Sequence, residues 1–356
     1  MFPRYYFLIL IILLYSTSGF SQVIISKTDT LKLMEGTFKP NDADPEYIGR
    51  FTRANEVRGF FRAQNSRLEF GSLREVSRLR NRGYLKNTSD QLGLGIAYKV
   101  INLDLSFSLP SRRQLDTSFQ NLKQFRLAFS YTGRKFGFRY YLNQGRGLVV
   151  ADPLKRFYSN PDVSMFKTGV QGTYIFNEDR YSLRAAFLQN EIQRKSAGSF
   201  LAKADLFYYN LKAPTGFVSS DKDLETVYGN QVGLRYLRGP GLLLMPGYGM
   251  NFVFFEGQVY IAPVLFAGGG LAYNFYAAES GSHNKTNLLL GASGQVNFGY
   301  NNPYLYLNFG ISHETTHFSL NPSFVSETDF RFVMTLGFRF GNLEKVIPET
   351  LTTDIF

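Results

Sequence analysis

A chain of 356 residues with 35 phenylalanines, 23 tyrosines, 33 glycines and no cysteine is long enough for a large domain and cannot form a disulfide. Its hydrophobic residues, 44% of the total, never gather into an internal run of about 20, which excludes a transmembrane helix in the mature chain. The formal charge of +11 suggests nucleic acid as a partner, but the export signal described next argues against one.

The N-terminus has the three parts of a secretory signal. Arg4 supplies the positive charge, residues 5–15 form an apolar core, and residues 16–21 are mostly small and polar. We therefore predict a signal peptide over residues 1–21, cleaved near Ser21–Gln22; the alternative is an uncleaved anchor helix. Residues 22–55 are polar and mixed, which predicts a periplasmic lead-in that lies under the following domain or plugs it.

From residue 56 to residue 340, apolar and mixed side chains alternate, as Phe330, Phe332 and Met334 do with Arg331 and Val333 in the last stretch. A strand places alternate side chains on opposite faces, and a membrane barrel turns its apolar face to lipid and its mixed face to the lumen. The pattern predicts an all-β, transmembrane antiparallel up-and-down β-barrel of about 14 strands, or alternatively about 12. The competing interpretation is a soluble sandwich or lipocalin-like fold, which would leave the one-sided aromatics unexplained.

In chain order, the first predicted strand at 57–71 is irregular, and a basic outer loop at 73–82 follows it. The other predicted strands lie at 91–98, 101–109, 125–131, 136–143, 167–176, 181–187, 200–209, 232–236, 248–254, 258–275, 286–300, 305–311 and 329–340. Short periplasmic turns are predicted at 99–100, 133, 177–180, 256–257 and 301–302, with 212–225 as a long exception. Longer loops are predicted at 145–162 and 314–328, and residues 341–356 form a polar C-terminal tail.

The same alternation places more basic than acidic side chains on the lumen face. The predicted basic residues of the lumen are Arg126, Lys135, Arg139, Lys167, Arg184, Lys203, Arg235, Arg331 and Arg339. The inward acids are chiefly Asp104, Asp205 and Asp329. Rings of basic side chains favour anions in pores. The alternative is structural, with arginines that pair with acids, loops or a plug and so fill the lumen.

One catalytic pattern occurs, because residues 313–317 read H-E-x-x-H. In zinc proteases this motif lies on a helix, so that both histidines face one metal. Here an extended stretch leads into it, Thr315 and Thr316 are β-branched, and Pro322 follows closely. We therefore expect no catalytic residue, metal or cofactor, although His283, His313 and His317 leave a surface metal site as a lesser alternative. A G-x-S-x-G motif is also absent from the sequence.

Several stretches together resemble an uncharacterised family of outer-membrane barrels from Bacteroidota, known only as a domain of unknown function. They read Y-I-G-R-F (47–51), N-E-V-R-G-F (55–60), L-G-L-G-I-A-Y-K (92–99), L-D-L-S-F-S-L-P (103–110), G-R-K-F-G-F-R-Y-Y (133–141) and G-Y-G-M-N-F-V-F (247–254). The resemblance covers most of the mature chain. It implies an outer-membrane barrel and supplies neither an activity nor catalytic residues.

We therefore expect a non-enzymatic barrel in the outer membrane, acting as a narrow, anion-preferring passage or as a structural barrel. The alternatives are a barrel enzyme that modifies lipid or lipopolysaccharide, and an accessory subunit of an envelope complex. Outer-membrane lipid, lipopolysaccharide and the barrel-assembly machinery are the expected partners. Phe338 and Phe340 end the last strand on its lipid-facing side, where bacterial barrels commonly carry an aromatic residue, so we predict that they form the assembly signal.

Overall fold

The computed structural model describes residues 43–51, 55–72, 84–98, 100–109, 123–151, 157–214, 216, 234–278, 281–319 and 323–340. These residues form a closed antiparallel barrel of twelve strands and a separate two-stranded sheet. The predicted signal peptide, the lead-in before residue 43, the basic loop at 73–82 and the tail at 341–356 lie outside the described residues.

The barrel strands are β2 (Asn55–Ser72), β3 (Tyr84–Tyr98), β4 (Ile101–Ser108), β5 (Lys123–Thr132), β6 (Phe136–Ala151), β7 (Phe157–Ile175), β9 (Ala197–Lys212), β10 (Tyr236–Phe254), β11 (Val259–Ala278), β12 (Gly281–Asn301), β13 (Leu305–Ser319) and β14 (Ser323–Phe340). The small sheet pairs β1 (Ile48–Arg50) with β8 (Glu191–Gln193). Helix α1 (Leu183–Phe187) precedes β8, and a 3₁₀ turn (Phe255–Gly257) follows β10. Each barrel strand pairs with the next along the chain, β7 pairs with β9, and β14 closes the ring against β2.

The barrel has twelve strands, which is the alternative prediction and two fewer than the 14 strands that the alternation of side chains indicated. The predicted strand at 181–187 is wrong, because these residues enter α1 and leave the wall. The predicted strand at 248–254 is the end of a longer strand, β10, which begins at Tyr236. Of the strand predicted at 232–236, residues 234–235 lie outside β10, and residues 232–233 lie outside the described residues. Pro240 and Pro246 both lie within the ladder between β9 and β10, which continues through them. The irregular first strand is present as β2.

At one end of the barrel, four of the five connections between neighbouring strands contain four residues or fewer. The segments 99–100, 133–135, 255–258 and 302–304 join neighbouring strands at that end, which we take as the periplasmic end because periplasmic turns are short in such barrels. With 181–187 outside the wall, the connection after β9 falls at the opposite, outer end, so the predicted long periplasmic exception at 212–225 is wrong. The one long periplasmic connection is 176–196, between β7 and β9.

The barrel wall changes width along its axis. β4 and β5 are short, and beyond them β3 pairs directly with β6 at Tyr84–Ala151, Leu85–Val150 and Lys86–Val149. Twelve strands therefore surround the periplasmic half and ten surround the outer end of the described barrel. Strands also replace most of the loops predicted at 145–162 and 314–328, since β6, β7, β13 and β14 all run further than the apolar alternation indicated.

The outer surface carries the apolar face of almost every strand. Leu94 and Phe200 are 68% and 69% exposed there, on opposite parts of the wall. Aromatic side chains are frequent near the periplasmic end, among them Tyr131, Phe136, Phe254, Tyr300 and Phe338. An apolar band edged by aromatic residues is the surface that a barrel presents to lipid. In the described ranges, helices are too short or too polar to cross a membrane.

Candidate functional site

The connection between β7 and β9 folds back to form a plug, defined here as residues 181–193 together with β1. Its side chains Tyr181, Ala186 and Ile192 are 1% exposed or less. Ser182 caps α1 by accepting a hydrogen bond from the amide of Ala185 at 3.0 Å. The sequence favours this small helix because serine at an N-cap satisfies an otherwise free amide. Part of the predicted lead-in, β1, completes the plug by pairing with β8.

Inward-facing asparagines fasten the plug to the periplasmic end of the wall. The side-chain amide of Asn251 donates to the Ser182 carbonyl at 2.9 Å, and that of Asn297 donates to the Ala186 carbonyl at 2.9 Å. Asn301 donates to the Glu191 carbonyl at 3.3 Å. These side chains come from β10 and β12, so the plug is tied to different parts of the wall by hydrogen bonds to its own backbone.

Arg184 and Arg339, both predicted to line the lumen, instead serve the plug. Arg184 lies on α1 and pairs with Glu191 at 2.9 Å, inside the plug. Arg339 does project inward from β14, but its guanidinium donates to the Gln189 carbonyl and to Asn301 Oδ1, the latter at 2.6 Å. It also lies 4.0 Å from the centre of the Phe51 ring. Arg184 therefore does not project from the barrel wall as predicted, whereas Arg339 does face the lumen and is covered there by the plug.

A second closure, the outer apolar layer, lies in the outer half of the lumen. Its buried side chains project inward from β2, β7 and β9–β14, where the alternation shows both faces to be apolar. They include Leu68, Val163, Phe207, Tyr209, Leu211, Leu237, Leu243, Met245, Ala272, Leu289, Phe318 and Val325. On β2, β3 and β5 a buried network of amides and hydroxyls continues the layer, with Gln91 donating to Gln124 at 2.7 Å.

Between the plug and the outer apolar layer lies a cavity of ≈ 380 Å³, referred to below as the chamber. Leu183, Phe187, Leu188 and Gln189 of the plug form its floor. Among the residues that the structure describes, seven basic side chains line it: Arg58, Arg62, Arg126, Arg139, Lys167, Lys203 and Arg331. The described acids that line it are Asp104, Glu314 and Asp329. The chamber is therefore rich in positive charge.

Three of the basic side chains have close acidic partners. Arg58 crosses β3 to reach Asp104 on β4 at 2.9 Å, and it also pairs with Glu56. Lys167 lies 2.9 Å from Glu327, and Arg331 lies 2.8 Å from Glu314. These pairs match the structural alternative in which acids compensate the arginines of the lumen.

None of the other four donates a hydrogen bond to a described carboxylate, although Asp104 and Glu314 lie close enough to attract Arg139. Arg126 lies 3.8 Å from Asp329, which already accepts hydrogen bonds from Gln64 and Ser66. Arg62 donates to Ser106 at 2.9 Å and to Gln91 at 3.2 Å, both of them neutral. Lys203 donates to Ser293 at 3.1 Å. Arg139 makes neither a hydrogen bond nor an ion pair with any described residue, and it is exposed to the chamber.

Two further predicted basic residues lie away from the chamber. Arg235 precedes β10 at the outer end and is exposed. Lys135 lies in the periplasmic turn before β6, 3.2 Å from Glu178. Its hydrogen bond to Glu178 raises the pKa of Lys135, and the pKa of Glu178 is lowered, first by a hydrogen bond from its own amide and then by Lys135. Of the nine predicted basic residues, the structure brings Arg126, Arg139, Lys167, Lys203 and Arg331 together.

Sequence reasoning missed Arg58, Arg62 and Glu314 in the chamber. The first two were hidden because β2 seemed irregular, although Glu56, Arg58, Arg62, Gln64 and Ser66 share one parity that could have revealed an inward polar face. Glu314 was assigned to a loop, but β13 continues through it and turns it inward.

The H-E-x-x-H match is divided between the two faces of β13. Glu314 faces the chamber, while His313 and His317 are exposed on the other parity. A strand therefore separates the groups that a zinc protease holds together on a helix. Among the described residues, three or more potential metal ligands do not come together anywhere.

At the end of β14, Phe338 is 51% exposed on the outer face, beside Val57 of β2 and Leu305 of β13. Phe340 is the last described residue and pairs with Asn55. Both have the parity expected of the predicted assembly signal, and that role stays a prediction.

Comparison with protein families gives one match, to DUF4421, a domain of unknown function, over residues 41–340. The chain belongs to the DUF4421 family. This range spans β1, the plug and every strand of the barrel. A search of curated proteins finds no match.

Solved structures similar to this DUF4421 protein include the outer membrane protease OmpT from Escherichia coli, with a TM-score of 0.36 and 11% identity over 86% of this chain and 100% of that chain. The translocator domain of the autotransporter NalP from Neisseria meningitidis has a TM-score of 0.34 and 12% identity over 92% of this chain and 99% of that chain. The toluene transporter TodX from Pseudomonas putida has a TM-score of 0.30 and 10% identity over 80% of this chain and 89% of that chain. At these scores we draw nothing from their activities.

The location of this DUF4421 protein follows from its own surface. A closed barrel that turns leucine and phenylalanine side chains outward around its wall would expose them to water in any soluble compartment. Burial of that surface in lipid removes the cost, and closed barrels of this kind span the outer membrane. The protein is an outer-membrane β-barrel.

Proposed function

We propose that this protein is a gated passage for small anions, closed in the conformation described above. The carrying observation is the charge of the chamber, where seven basic side chains face three acidic ones among the described residues. Basic side chains that line a pore attract anions and repel cations. The fold supplies the two ends of a passage, since the chamber lies between the periplasmic plug and the outer apolar layer.

Both closures are of kinds that can open. The plug is joined to the wall by apolar packing of Tyr181 and by hydrogen bonds from Asn251, Asn297, Asn301 and Arg339. Each hydrogen bond is worth about 1 kcal/mol net, or more for the charged group. The outer apolar layer resembles the hydrophobic constrictions that gate channels by excluding water. Passage would require the plug to move and water to enter this layer.

A second candidate is a structural barrel or an accessory subunit that conducts nothing. The pairs Arg58–Asp104, Arg184–Glu191 and Arg331–Glu314 favour it, because they use basic side chains to hold the fold. In either case we propose a non-enzymatic role. The separation of Glu314 from His313 and His317 on the two faces of β13 supports this proposal, because it argues against metal-dependent hydrolysis.

Ion uptake into proteoliposomes tests the passage. The wild-type protein is compared with a plug-replaced variant, in which a flexible linker of equal length replaces residues 183–190. In the same variant, serine replaces Leu243 and Leu289 of the outer apolar layer, so that both closures are opened. We expect the variant to admit chloride faster than potassium, and the wild type to admit little of either. Equal or faster entry of potassium would contradict the proposal, and absence of uptake by both proteins would favour the structural barrel.

A further inference from the structure

We propose that the chamber contains a binding site for a small oxyanion of the phosphate, sulfate or carboxylate type, formed by Arg62, Arg126, Arg139 and Lys203. The inference deepens the proposed function and rests on it in one respect, that an anion must be able to reach the chamber. It adds a specific site, with a ligand class, to a general preference for negative charge.

The first support is that the four side chains converge on one space. The four side chains come from β2, β5, β6 and β9, and all of them line the one chamber. Arg139 lies close enough to Arg62, to Arg126 and to Lys203 for its charge to repel each of them. Residues that are far apart in the sequence thus bring four positive charges to one space.

The second support is the way in which two of these side chains are held. Arg62 is placed by neutral acceptors, Gln91 and Ser106, and by the Phe60 ring 5.0 Å away. Lys203 is placed by Ser293 and by the Phe266 ring at 4.5 Å. These contacts orient the side chains and leave their charges available. Arg139, without a described partner, leaves its whole guanidinium free toward the chamber.

The third support is that the acids in the chamber are already engaged. Glu314 is 2.8 Å from Arg331, and Asp104 is 2.9 Å from Arg58. Asp329 accepts from Gln64 and Ser66 and stands 3.8 Å from Arg126. Grouped cations that are taken from bulk water and have only distant or shared counter-charges are costly, and a bound anion offsets that cost.

The ligand class follows from the donors and the space. The planar guanidinium presents its N–H groups in a fork that matches two oxygens of one carboxylate or phosphate. Several forks around one space suit a centre with several negative oxygens better than a single chloride ion. The ≈ 380 Å³ volume is at the small end of ligand sites, and the buried layers on both sides favour a soluble oxyanion over a lipid headgroup that carries acyl chains.

Equilibrium dialysis of the purified barrel in phosphate-free detergent, at low ionic strength, tests the site. Inorganic phosphate, sulfate, acetate and chloride are the probes, and dihexanoyl phosphatidate represents the lipid source. We expect at least one of the three oxyanions to bind about tenfold or more tightly than chloride, the worth of one or two charged hydrogen bonds, and the phosphatidate not to bind. Oxyanions that bind no more tightly than chloride would overturn the inference. Preferential binding of the phosphatidate would overturn the claim that the ligand is a soluble anion and not a lipid headgroup.

Single substitutions locate the site. Arg139→Gln and Lys203→Gln should each weaken oxyanion binding about tenfold, whereas Arg238→Gln, at the exposed outer end of β10, should leave it unchanged. Heat-modifiable migration on gels shows which variants fold. Folded variants of Arg139 and Lys203 that bind as the wild type does would overturn the inference.

The same dialysis with the plug-replaced variant separates this inference from the proposed function. Oxyanion binding without ion uptake would retain the site and remove the passage. Chloride-selective uptake without oxyanion binding would retain the passage and remove the site.

Discussion

The guanidinium of Arg331 lies 2.8 Å from the carboxylate of Glu314 on the neighbouring strand. The two side chains are 19% and 28% exposed, so both ions are largely withdrawn from water. Arg139 faces the same chamber with no described acid to pair with. The chamber therefore contains two kinds of arginine, those that hold the fold and those that are available to a ligand, and they should respond differently to substitution.

Arg331→Met should destabilise the barrel, because it removes the one ion pair that Glu314 makes with a described residue and leaves this carboxylate charged. We expect a loss of about 2 kcal/mol in the free energy of unfolding, below the roughly 3–5 kcal/mol of a fully buried pair. The double variant Arg331→Met, Glu314→Gln should recover most of the loss. Urea unfolding in lipid vesicles measures both, and a double variant as unstable as the single one would show that the pair is not the cause.

Arg139→Gln should instead change stability little in oxyanion-free buffer, because the repulsion between Arg139 and its basic neighbours opposes its attraction to Asp104 and Glu314. Addition of phosphate should stabilise the wild type more than this variant, since a ligand stabilises only the protein that binds it. Unfolding curves with and without phosphate provide the comparison. A loss of stability equal to that of Arg331→Met would place Arg139 among the structural arginines.

Gly95→Ala should destabilise the barrel because a Cβ there would meet the side chains of both Asp104 and Arg58, which pair across this glycine. Gly59→Ala, on the adjacent strand and the outer face, meets nothing within 4 Å and serves as the matched control. We expect a loss of about 1–3 kcal/mol for Gly95 and little change for Gly59, measured by urea unfolding. Similar losses from both would indicate a general backbone effect of replacing glycine.

Met334→Arg should reduce assembly far more than Thr335→Arg. Met334 faces outward between Phe309 and Phe61, whereas Thr335 lines the chamber. Arginine on the lipid face near the middle of the membrane costs roughly 2–4 kcal/mol. The fraction of heat-modifiable protein in outer-membrane preparations measures assembly, and equal losses would show that the assigned faces are wrong.

Arg339→Gln should loosen the plug, because Arg339 joins the Gln189 carbonyl to the wall. Amides of residues 183–193 should then exchange with solvent deuterium faster, by about tenfold for the loss of a charged hydrogen bond. Strands on the far side of the barrel, such as β4, should keep their protection. Unchanged exchange in the plug would mean that the asparagine contacts suffice to hold it.

The alternation of side chains was enough to predict the barrel, five basic residues of the chamber and two of its acids, Asp104 and Asp329, because parity on a regular strand fixes which face a residue takes. It failed at 181–187, where Tyr181, Leu183 and Ala185 alternate with Ser182 and Arg184 although residues 183–187 form a short helix in the lumen. Five helical residues are too few for a period of 3.6 to become visible.

Arg339 illustrates a different limit of prediction. Its inward parity was correct, but its partner is a backbone carbonyl 150 residues away, and nothing in a side-chain pattern identifies such a contact. The division of the chamber arginines into paired and unpaired groups was equally hidden. It depends on Glu314 and Glu327, which lie in a stretch that was predicted to be a loop.

The reversal potential of the plug-replaced barrel, in a planar bilayer across a potassium chloride gradient, tests the central claim most directly. The account predicts a reversal potential with the sign expected of a chloride-selective pore. This potential should become smaller at high salt, because the charges of the chamber are screened over about 10 Å at 0.1 M. The double reversal Arg62→Glu, Arg139→Glu should reduce or invert it, whereas Arg238→Glu should not. A reversal potential with the sign expected of a potassium-selective pore, in the plug-replaced barrel without the glutamate substitutions, would contradict the account.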